Sequence, residues 1–413
     1  MNPSREDFIR RIAEKEARLT SLERQRQEAR EEIEALRDQL EELTPGTAAD
    51  ARDDIGATAP PTSAEKVRLF RSLFRGRADV FPTRFVSKKT GKPGYAPACA
   101  NKFVRGVCEL PRIKCGECPN QAFQSVDDRA ILNHLKGHHV MGVYPLLRDE
   151  TCWFLAADFD KASWQDDVAA LVGTCRATGV PVSVERSRSG NGAHAWFFFA
   201  QPAAANIARR MGCYLITETM SRRYEMGMDS YDRLFPNQDT MPRGGFGNLI
   251  ALPLQHDSRK DGNTLFLDDA FEPHADQWTY LASIRPMPPG AVEALAQEGT
   301  RRGQVIDVRV ADPGDDESDT PWMLAPSGRT RRLAIAGDTP REARGVISQR
   351  FFLEKGELPS ALLNAIKRIA SFQNPEFYKK QRMRLSTAMT PRVITCAEDF
   401  AKHVALPRGC GRR

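Results

Sequence analysis

The sequence predicts a mixture of strands and helices spread over two or three domains, since 413 residues are enough to bury a sizeable core and to divide it. Three observations predict it. Between Thr151 and Tyr224, apolar runs of strand length alternate with segments of helical character. Residues 4 to 43 are rich in Glu, Arg, Ala and Leu and contain neither Pro nor Gly. Four of the nine cysteines crowd into residues 99 to 118.

The N-terminal stretch (1–44) fits a heptad register. Ile12, Leu19, Ile33 and Leu40 fall at a, and Phe8, Leu22, Ala29, Leu36 and Leu43 fall at d. Arg5, Arg26 and Lys15 are the misfits, and charges of both signs flank the seam. The pattern is that of a coiled-coil helix, able to self-associate or to dock a partner, or of a long helix packed on its own chain. Pro45-Gly46 stops it, and residues 45–62, rich in Ala, Asp, Thr and Pro, read as a flexible linker.

Residues 63–140 begin with a short helix over Ser63 to Arg77, with Val67, Leu69, Phe70, Leu73 and Phe74 near one face. Cys99, Cys108, Cys115 and Cys118 follow in C-x8-C-x6-C-x2-C spacing. A Cys-x2-Cys knuckle lets two thiolates grip one ion, and two more complete a tetrahedral, structural Zn²⁺ site. In a variant, His134, His138 or His139 replaces one cysteine. Lys102, Phe103, Arg105, Arg112 and Lys114 surround the cluster with charge and aromatic surface suited to nucleic acid.

The core (141–290) centres on Thr151 to Phe199. Trp153 to Ala157 is an apolar strand that ends in Asp158-Phe159-Asp160. Alternation places the side chains of Asp158 and Asp160 together and turns Phe159 inward. Two carboxylates that close repel, and Mg²⁺ or Mn²⁺ is the usual compensation. Val180 to Glu185 and Ala193 to Ala200 read as two further strands joined by the polar turn Ser187 to Gly192, a hairpin that carries His194 toward the aspartates. The turn, with Arg186, Arg188, Ser189, Gly190, Asn191 and Gly192, has the backbone freedom and positive charge that suit a polyphosphate. Ala203 to Tyr224 reads as a helix, and Leu249 to Leu254 as a core strand.

The ordered set LFRSLFRGR (69–77), the cysteine segment, GVYPLLRDETCWFLAADFD (142–160), SGNGAHAWFFF (189–199) and YDRLFPNQDTMPRGGFGNLIALPLQ (231–255) resembles the archaeo-eukaryotic primase superfamily, and within it the primases of TOTE conflict systems. The resemblance spans roughly residues 64 to 290. It implies an RRM-like sheet backed by helices, hence an α+β or mixed α/β fold, and metal-dependent, template-directed nucleotidyl transfer. In those roles Asp158, Asp160 and a third Asp hold two Mg²⁺ or Mn²⁺ ions, and His194 binds the incoming triphosphate. Asp232 is the assignment for the third, with Asp229 and Asp239 as rivals. The family's second motif is often Ser-x-His, whereas Gly192 stands two residues before His194 here. Single-stranded or primed template and nucleoside triphosphates are the implied partners, in a setting of conflict with mobile elements.

Residues 291–345 read as a connection with an acidic patch at Asp312 to Asp319 and one strand over Gln304 to Val310. Residues 346–413 read as a basic helical region. From Ile366 onward there are 11 Lys or Arg against three acidic residues, which favours a polyanionic partner. Residues 371 to 410 resemble the lead-in to a superfamily 2 helicase, yet no GxxxxGK[ST] loop occurs, so either the helicase is a separate chain or this is a truncated form. No run of eighteen apolar residues and no signal peptide are present, which predicts a cytoplasmic protein without a membrane span. Two other classes compete: a non-catalytic zinc-containing scaffold for nucleic acid, and a metal-dependent nuclease.

Overall fold

A computed structural model of the protein describes residues 21, 24, 58–87, 90–160, 162–227, 229–230, 233–302, 339–356, 358–387 and 389–412. The chain divides into two compact units, 1–56 and 57–413. In the first, only Ser21 and Arg24 are described, and both are helical. The coiled coil, most of the linker and the strand expected at Gln304 to Val310 therefore lie outside the described residues.

The second unit opens with α1 (Ser63–Leu73). Thr62 and Glu65 close a reciprocal capping box, satisfying backbone donors that a helix start leaves open, and Val67, Phe70 and Leu73 form the buried stripe. The helix stops short of the expected Arg77. Gly76 lies directly against Val143 and the Tyr144 carbonyl, leaving no room for a Cβ, and the Arg77 N–H donates to that same carbonyl. A hairpin follows, β1 (Pro82–Val86) with β2 (Pro93–Pro97). The cysteine segment contributes only a 3₁₀ turn at Cys115–Glu117. Then come α2 (Asp128–Leu135), β3 (Gly142–Val143), β4 (Thr151–Phe159), α3 (Trp164–Thr178), β5 (Ser183–Arg186), β6 (Ala193–Ala204), α4 (Ala205–Arg222) and β7 (Leu234–Phe235). The core ends with β8 (Ile250–Ala251), α5 (His256–Lys260), β9 (Phe266–Leu267), α6 (Gln277–Ser283) and α7 (Pro289–Arg302).

The central sheet has the order β7-β4-β6-β5-β9, and every neighbouring pair is antiparallel. Read along the chain, β4-α3-β5-β6-α4-β7 is a βαββαβ unit of the split type, the sheet expected from the RRM-like resemblance. Both faces are covered. Leu155, Ala157, Phe159, Phe197 and Phe199 pack against Val168, Leu171, Met211 and Leu215 of α3 and α4. Phe154, Ala156, Trp196 and Phe198 pack against Phe70, Phe74, Phe81 and Phe266. Double coverage is why β4 and β6 read as nearly continuous apolar runs and not as an alternation. The polar residues that interrupt those runs, Asp158 and His194, follow the parity of the second face.

The C-terminal region corrects an expectation. It is not mainly helical: β10 (Gly345–Ile347) and β11 (Arg350–Glu354) come first, then α8 (Ser360–Ile369), β12 (Ser371–Gln373), α9 (Pro375–Arg382), β13 (Val393–Thr395), β14 (Glu398–Asp399) and β15 (His403–Pro407). Four of these strands pair as β10-β11-β15-β14. The aromatic pair Phe351-Phe352 and the run His403 to Leu406 favour a pleated surface, and that local preference outweighs the average helical character of the region. The region is tied to the core. Lys367 Nζ donates to the Tyr224 carbonyl at 2.8 Å, and Asp399 pairs with both Lys355 and Lys367. Among the described residues no helix is long and apolar enough to cross a membrane.

Candidate active site

Three adjacent strands bring three titratable side chains into one row. Asp158 on β4 is the register partner of His194 on β6, and His194 is the partner of Glu185 on β5. His194 Nδ1–H donates to Glu185 Oε2 at 2.7 Å, and Trp196 Nε1–H donates to the same oxygen at 3.1 Å. The carboxylate can only accept, so Nδ1 carries the proton. His194 Nε2 then faces Asp158 Oδ1 at 3.6 Å. The Glu185 side chain is 1 % exposed, so this ring is oriented from behind by a buried anion.

The electrostatics follow from that packing. Burial pulls the His194 pKa down, but Glu185, by charge and hydrogen bond, and Asp158 outweigh it, and the net direction is up. Burial pushes the Asp158 carboxyl up, Asp160 adds to this, and His194 and Arg233 oppose it. Asp158 is thus a carboxylate whose charge the site holds at a cost.

Asp160 stands just past the end of β4. The Arg233 guanidinium bridges it to Asp229, with Nη1 on Asp160 and Nη2 on Asp229 Oδ2 at 3.1 Å. The Arg233 carbonyl accepts the Asp158 N–H at 3.0 Å. The structure therefore brings Asp158, Asp160, Asp229 and Arg233 together. Asp232 lies outside the described residues. Asp239, the other rival, is engaged elsewhere: Arg209 Nη1 donates to it at 2.5 Å and Gln381 Nε2 at 3.0 Å, linking α4 to α9.

The turn between β5 and β6 is closed by Ser187 N–H to the Gly192 carbonyl at 2.9 Å, and Gly190 takes φ +77°. Its polar groups partly satisfy each other. The Gly190 N–H donates to the Ser187 carbonyl at 3.0 Å, and the Asn191 N–H to Ser189 Oγ at 3.3 Å. Those two donors are not available to cradle a phosphate. Arg186 turns away as well, with Nη2 donating to the Phe271 carbonyl at 2.9 Å. Arg188 lines an open cleft with Arg84 and His139.

Gly192 has a reason that the motif comparison could not supply. A Cβ there would fall well inside contact distance of the Phe159 carbonyl oxygen and would press on Asp160 Cα. Gly192→Ala is expected to destabilise the fold by about 1–3 kcal/mol through overpacking and to displace Asp160. The denaturant midpoint should fall, and Mn²⁺ affinity should fall with it. An unchanged midpoint would show that the strand ends are looser than this geometry.

The four cysteines line one cavity with Lys102. The Cys115 thiol is pushed up by burial, and further by Cys108, Cys99 and Cys118, so all four lie within electrostatic reach of each other. Backbone hydrogen bonds from Leu110 and Phe103 pull the Cys108 thiol down. Thiolates gathered in this way repel, and the donor set fits a soft divalent cation. Among the described residues, however, no group of three or more His, Cys, Asp or Glu side chains stands close enough together to hold an ion as placed. His134 is not an alternative donor. Its Nδ1 accepts the Met141 N–H at 3.0 Å, its Nε2–H donates to the Pro253 carbonyl at 2.9 Å, and burial brings its pKa down to about 4.

The sequence reading missed two residues of the site. Glu185 reads in the sequence only as the end of a strand, and its signal was a carboxylate closing a segment, Val180 to Val184, that holds no other charge. Arg233 directly follows Asp232, and nothing local distinguishes it from a solvated side chain.

With the geometry in place, comparison with known proteins is informative. The family model for the TOTE conflict system, Archaeo-Eukaryotic Primase domain matches residues 65–295. None of the curated proteins matches the chain. Among solved structures, a match is the polymerase domain from Mycobacterium tuberculosis Ligase D in complex with DNA, with 11% identity and a TM-score of 0.29, covering 59% of this chain and 88% of that one. At that score the structural likeness decides nothing about this chain.

Proposed function

The chain belongs to the archaeo-eukaryotic primase domain family of TOTE conflict systems, and from that membership we propose that it is a primase-polymerase, adding nucleotides from nucleoside triphosphates to a 3′-hydroxyl on a single-stranded or primed template. The observation that carries this reading is the row Asp158–His194–Glu185 with Asp160 at its open end. Asp158 and Asp160, with a third carboxylate from the 229–232 segment, would hold Mg²⁺ or Mn²⁺, which supplies a lowered pKa for the attacking hydroxyl and charge stabilisation at the α-phosphate. The oxygen-only donor set beside a cation-bridged carboxylate pair fits such ions.

The chain's own residues do the rest. Glu185 fixes the His194 tautomer, so Nε2 is presented on the Asp158 side, where it contacts the triphosphate. Arg188 and Ser189 lie on the turn just beyond β5 and add donors. Arg233 neutralises Asp160 and Asp229 while the site is free of nucleotide. No covalent intermediate is needed, because in-line displacement between bound reactants requires positioning and charge stabilisation alone.

Cys99, Cys108, Cys115 and Cys118 would hold a structural Zn²⁺, which supplies rigidity to a segment with little core of its own. The chain purified without added metal is expected to carry one zinc. Cys115→Ser with Cys118→Ser should lose that zinc and on the order of several kcal/mol of stability, while Mn²⁺ binding at the aspartates persists. A wild-type chain free of zinc, or a double variant that keeps it, would overturn the assignment.

The family setting supports a role in conflict with mobile elements; a separate helicase chain as partner and self-association through the N-terminal heptads are proposed from the sequence pattern alone. The activity is tested with a single-stranded DNA template, labelled nucleoside triphosphates and Mg²⁺ or Mn²⁺, with and without an annealed primer. New strands without primer establish priming, and extension only with primer establishes a polymerase. Shortening of the template without nucleotides would instead establish a nuclease. Template binding with neither activity would leave a scaffold.

A further inference from the structure

From Pro236 to Leu249 the chain that leaves β7 has neither helix nor strand, so its backbone groups need partners from elsewhere. The C-terminal region supplies several of them. Arg392 Nη2 donates to the Asn237 carbonyl at 2.6 Å, and the Asp239 N–H donates to Gln381 Oε1 at 3.3 Å. Arg384 Nη1 donates to the Met241 carbonyl at 3.2 Å, and the Arg243 N–H donates to the Arg384 carbonyl at 2.8 Å. Alternate residues of the loop are thus held from one side by Gln381, Arg384 and Arg392.

The residues that hold the loop are themselves fixed. Arg392 is 1 % exposed, and its guanidinium lies over the Phe377 ring of α9 at 4.2 Å, a favourable contact between a cation and a ring face. The Asn374 N–H donates to the Arg392 carbonyl at 2.9 Å, and Asn374 Nδ2 donates to the Pro391 carbonyl at 2.7 Å. Gln381 Nε2 donates to Asp239 Oδ2 while Arg209 of α4 holds Oδ1, so the loop is gripped by a backbone and a side-chain bond at the same residue.

The loop is continuous with the candidate active site. β7 has only two residues, which pair with Ala156 and Ala157 of β4. Asn248 ties the loop to it, with Oδ1 accepting the Asn237 N–H at 3.3 Å and Nδ2 donating to the Leu234 carbonyl at 3.5 Å. Arg233, directly before β7, accepts the Asp158 N–H on its carbonyl and bridges Asp160 to Asp229 with its guanidinium. So short a strand has little ladder of its own, and a displacement of Asn237 reaches Arg233 through it. Carboxylates that share metal ions tolerate little displacement, because the geometry of the ligands and their supports sets both affinity and rate.

We propose that Gln381 and Arg392, both beyond the stretch that the family model matches, are positioning residues of the nucleotidyl-transfer site: they hold the loop after β7 and thereby set Asp229 and Arg233 against Asp158 and Asp160. The proposal rests on the primase-polymerase reading and extends its site to the C-terminal region.

The test measures Mn²⁺ binding and incorporation on a primed template with the full chain, well below its melting temperature. Gln381→Ala and Arg392→Met should each weaken Mn²⁺ binding about tenfold and lower kcat roughly ten- to a hundredfold, with the KM for nucleotide moving by less than about threefold. Arg392→Lys keeps a donor and should recover part of the loss. Leu406→Ala, in the buried cluster of β15, should lower the melting temperature and leave Mn²⁺ affinity and kcat at their wild-type values. Gln381 is only partly buried, so Gln381→Ala decides the matter where Arg392→Met does not fold. Wild-type Mn²⁺ affinity and kcat in Gln381→Ala would overturn the proposal, and so would an equal loss in Leu406→Ala. A wild-type chain that binds Mn²⁺ without incorporating nucleotide would overturn the primase-polymerase reading, and the Mn²⁺ affinities of the variants would still decide the positioning role. A wild-type chain that does neither would overturn both.

Discussion

Replacing Asp158 and Asp160 together by asparagine is expected to lower nucleotide incorporation on a primed template by at least about a thousandfold. The site relies on these side chains for charge stabilisation worth several kcal/mol, and each 1.4 kcal/mol is a factor of ten. The fold should survive the change. Asp158 is held above the usual carboxylate range, chiefly by burial, so the sign of its contribution is clear. A carboxyl whose folded pKa is raised favours the fold at low pH, and that contribution is lost as pH rises through the folded pKa. At neutral pH its charge opposes folding, and asparagine removes the opposition while keeping the shape. Asp160 is more than half exposed and pairs with Arg233 at the surface, so its loss costs little. The expected combination is lost incorporation, lost Mn²⁺ binding, and a melting temperature that does not fall. Retained incorporation would remove these residues from the reaction. Loss of both activity and fold would assign them a structural role.

Glu185→Gln is expected to weaken nucleoside triphosphate binding by on the order of tenfold near neutral pH and to change how stability depends on pH. The His194 pKa is raised in spite of burial because Glu185 and Asp158 favour its charged form. A raised histidine pKa stabilises the fold fully below the ordinary value of 6.5, and the benefit disappears as pH rises through the folded value. The wild-type denaturant midpoint should therefore fall as pH climbs above that range, and the glutamine variant should flatten the fall. The pH above which triphosphate binding weakens should move downward in the variant. Glu185→Ala goes further, because the buried N–H groups of His194 and Trp196 both lose their acceptor, a loss of about 2–5 kcal/mol. An unchanged pH slope in Glu185→Gln would show that the pair does not titrate as a unit. Unchanged triphosphate affinity would show that Glu185 supports the fold alone.

The parts of this site that were legible in the sequence are those that depend on local periodicity. Alternation along one strand was enough to turn Phe159 into the core and leave Asp158 and Asp160 outside it. A strand, a glycine-containing turn and a strand were enough to fold His194 back toward them. The RRM-like type of sheet came through the family resemblance and agrees with the βαββαβ arrangement of β4 to β7. The cysteine spacing picked out four thiols that share one cavity.

What the tertiary structure alone decided has a common physical cause, which is that contacts between distant segments are set by register and packing. Glu185 stands behind His194 because β5 and β6 pair in that register. One residue of slip would turn the carboxylate to the opposite face of the sheet. Asp239 is held between α4 and α9, and Arg186 Nη2 is held by the Phe271 carbonyl. Gly192 looked like a departure from a motif until the close approach of the Phe159 carbonyl supplied its reason. The C-terminal region read as helical from averaged composition, whereas the pairing of β11 with β15 made it a sheet. The sequence by itself determined which residue types face the active edge of the sheet; which of them meet was decided only when strands, hairpin and helices from separate parts of the chain came together.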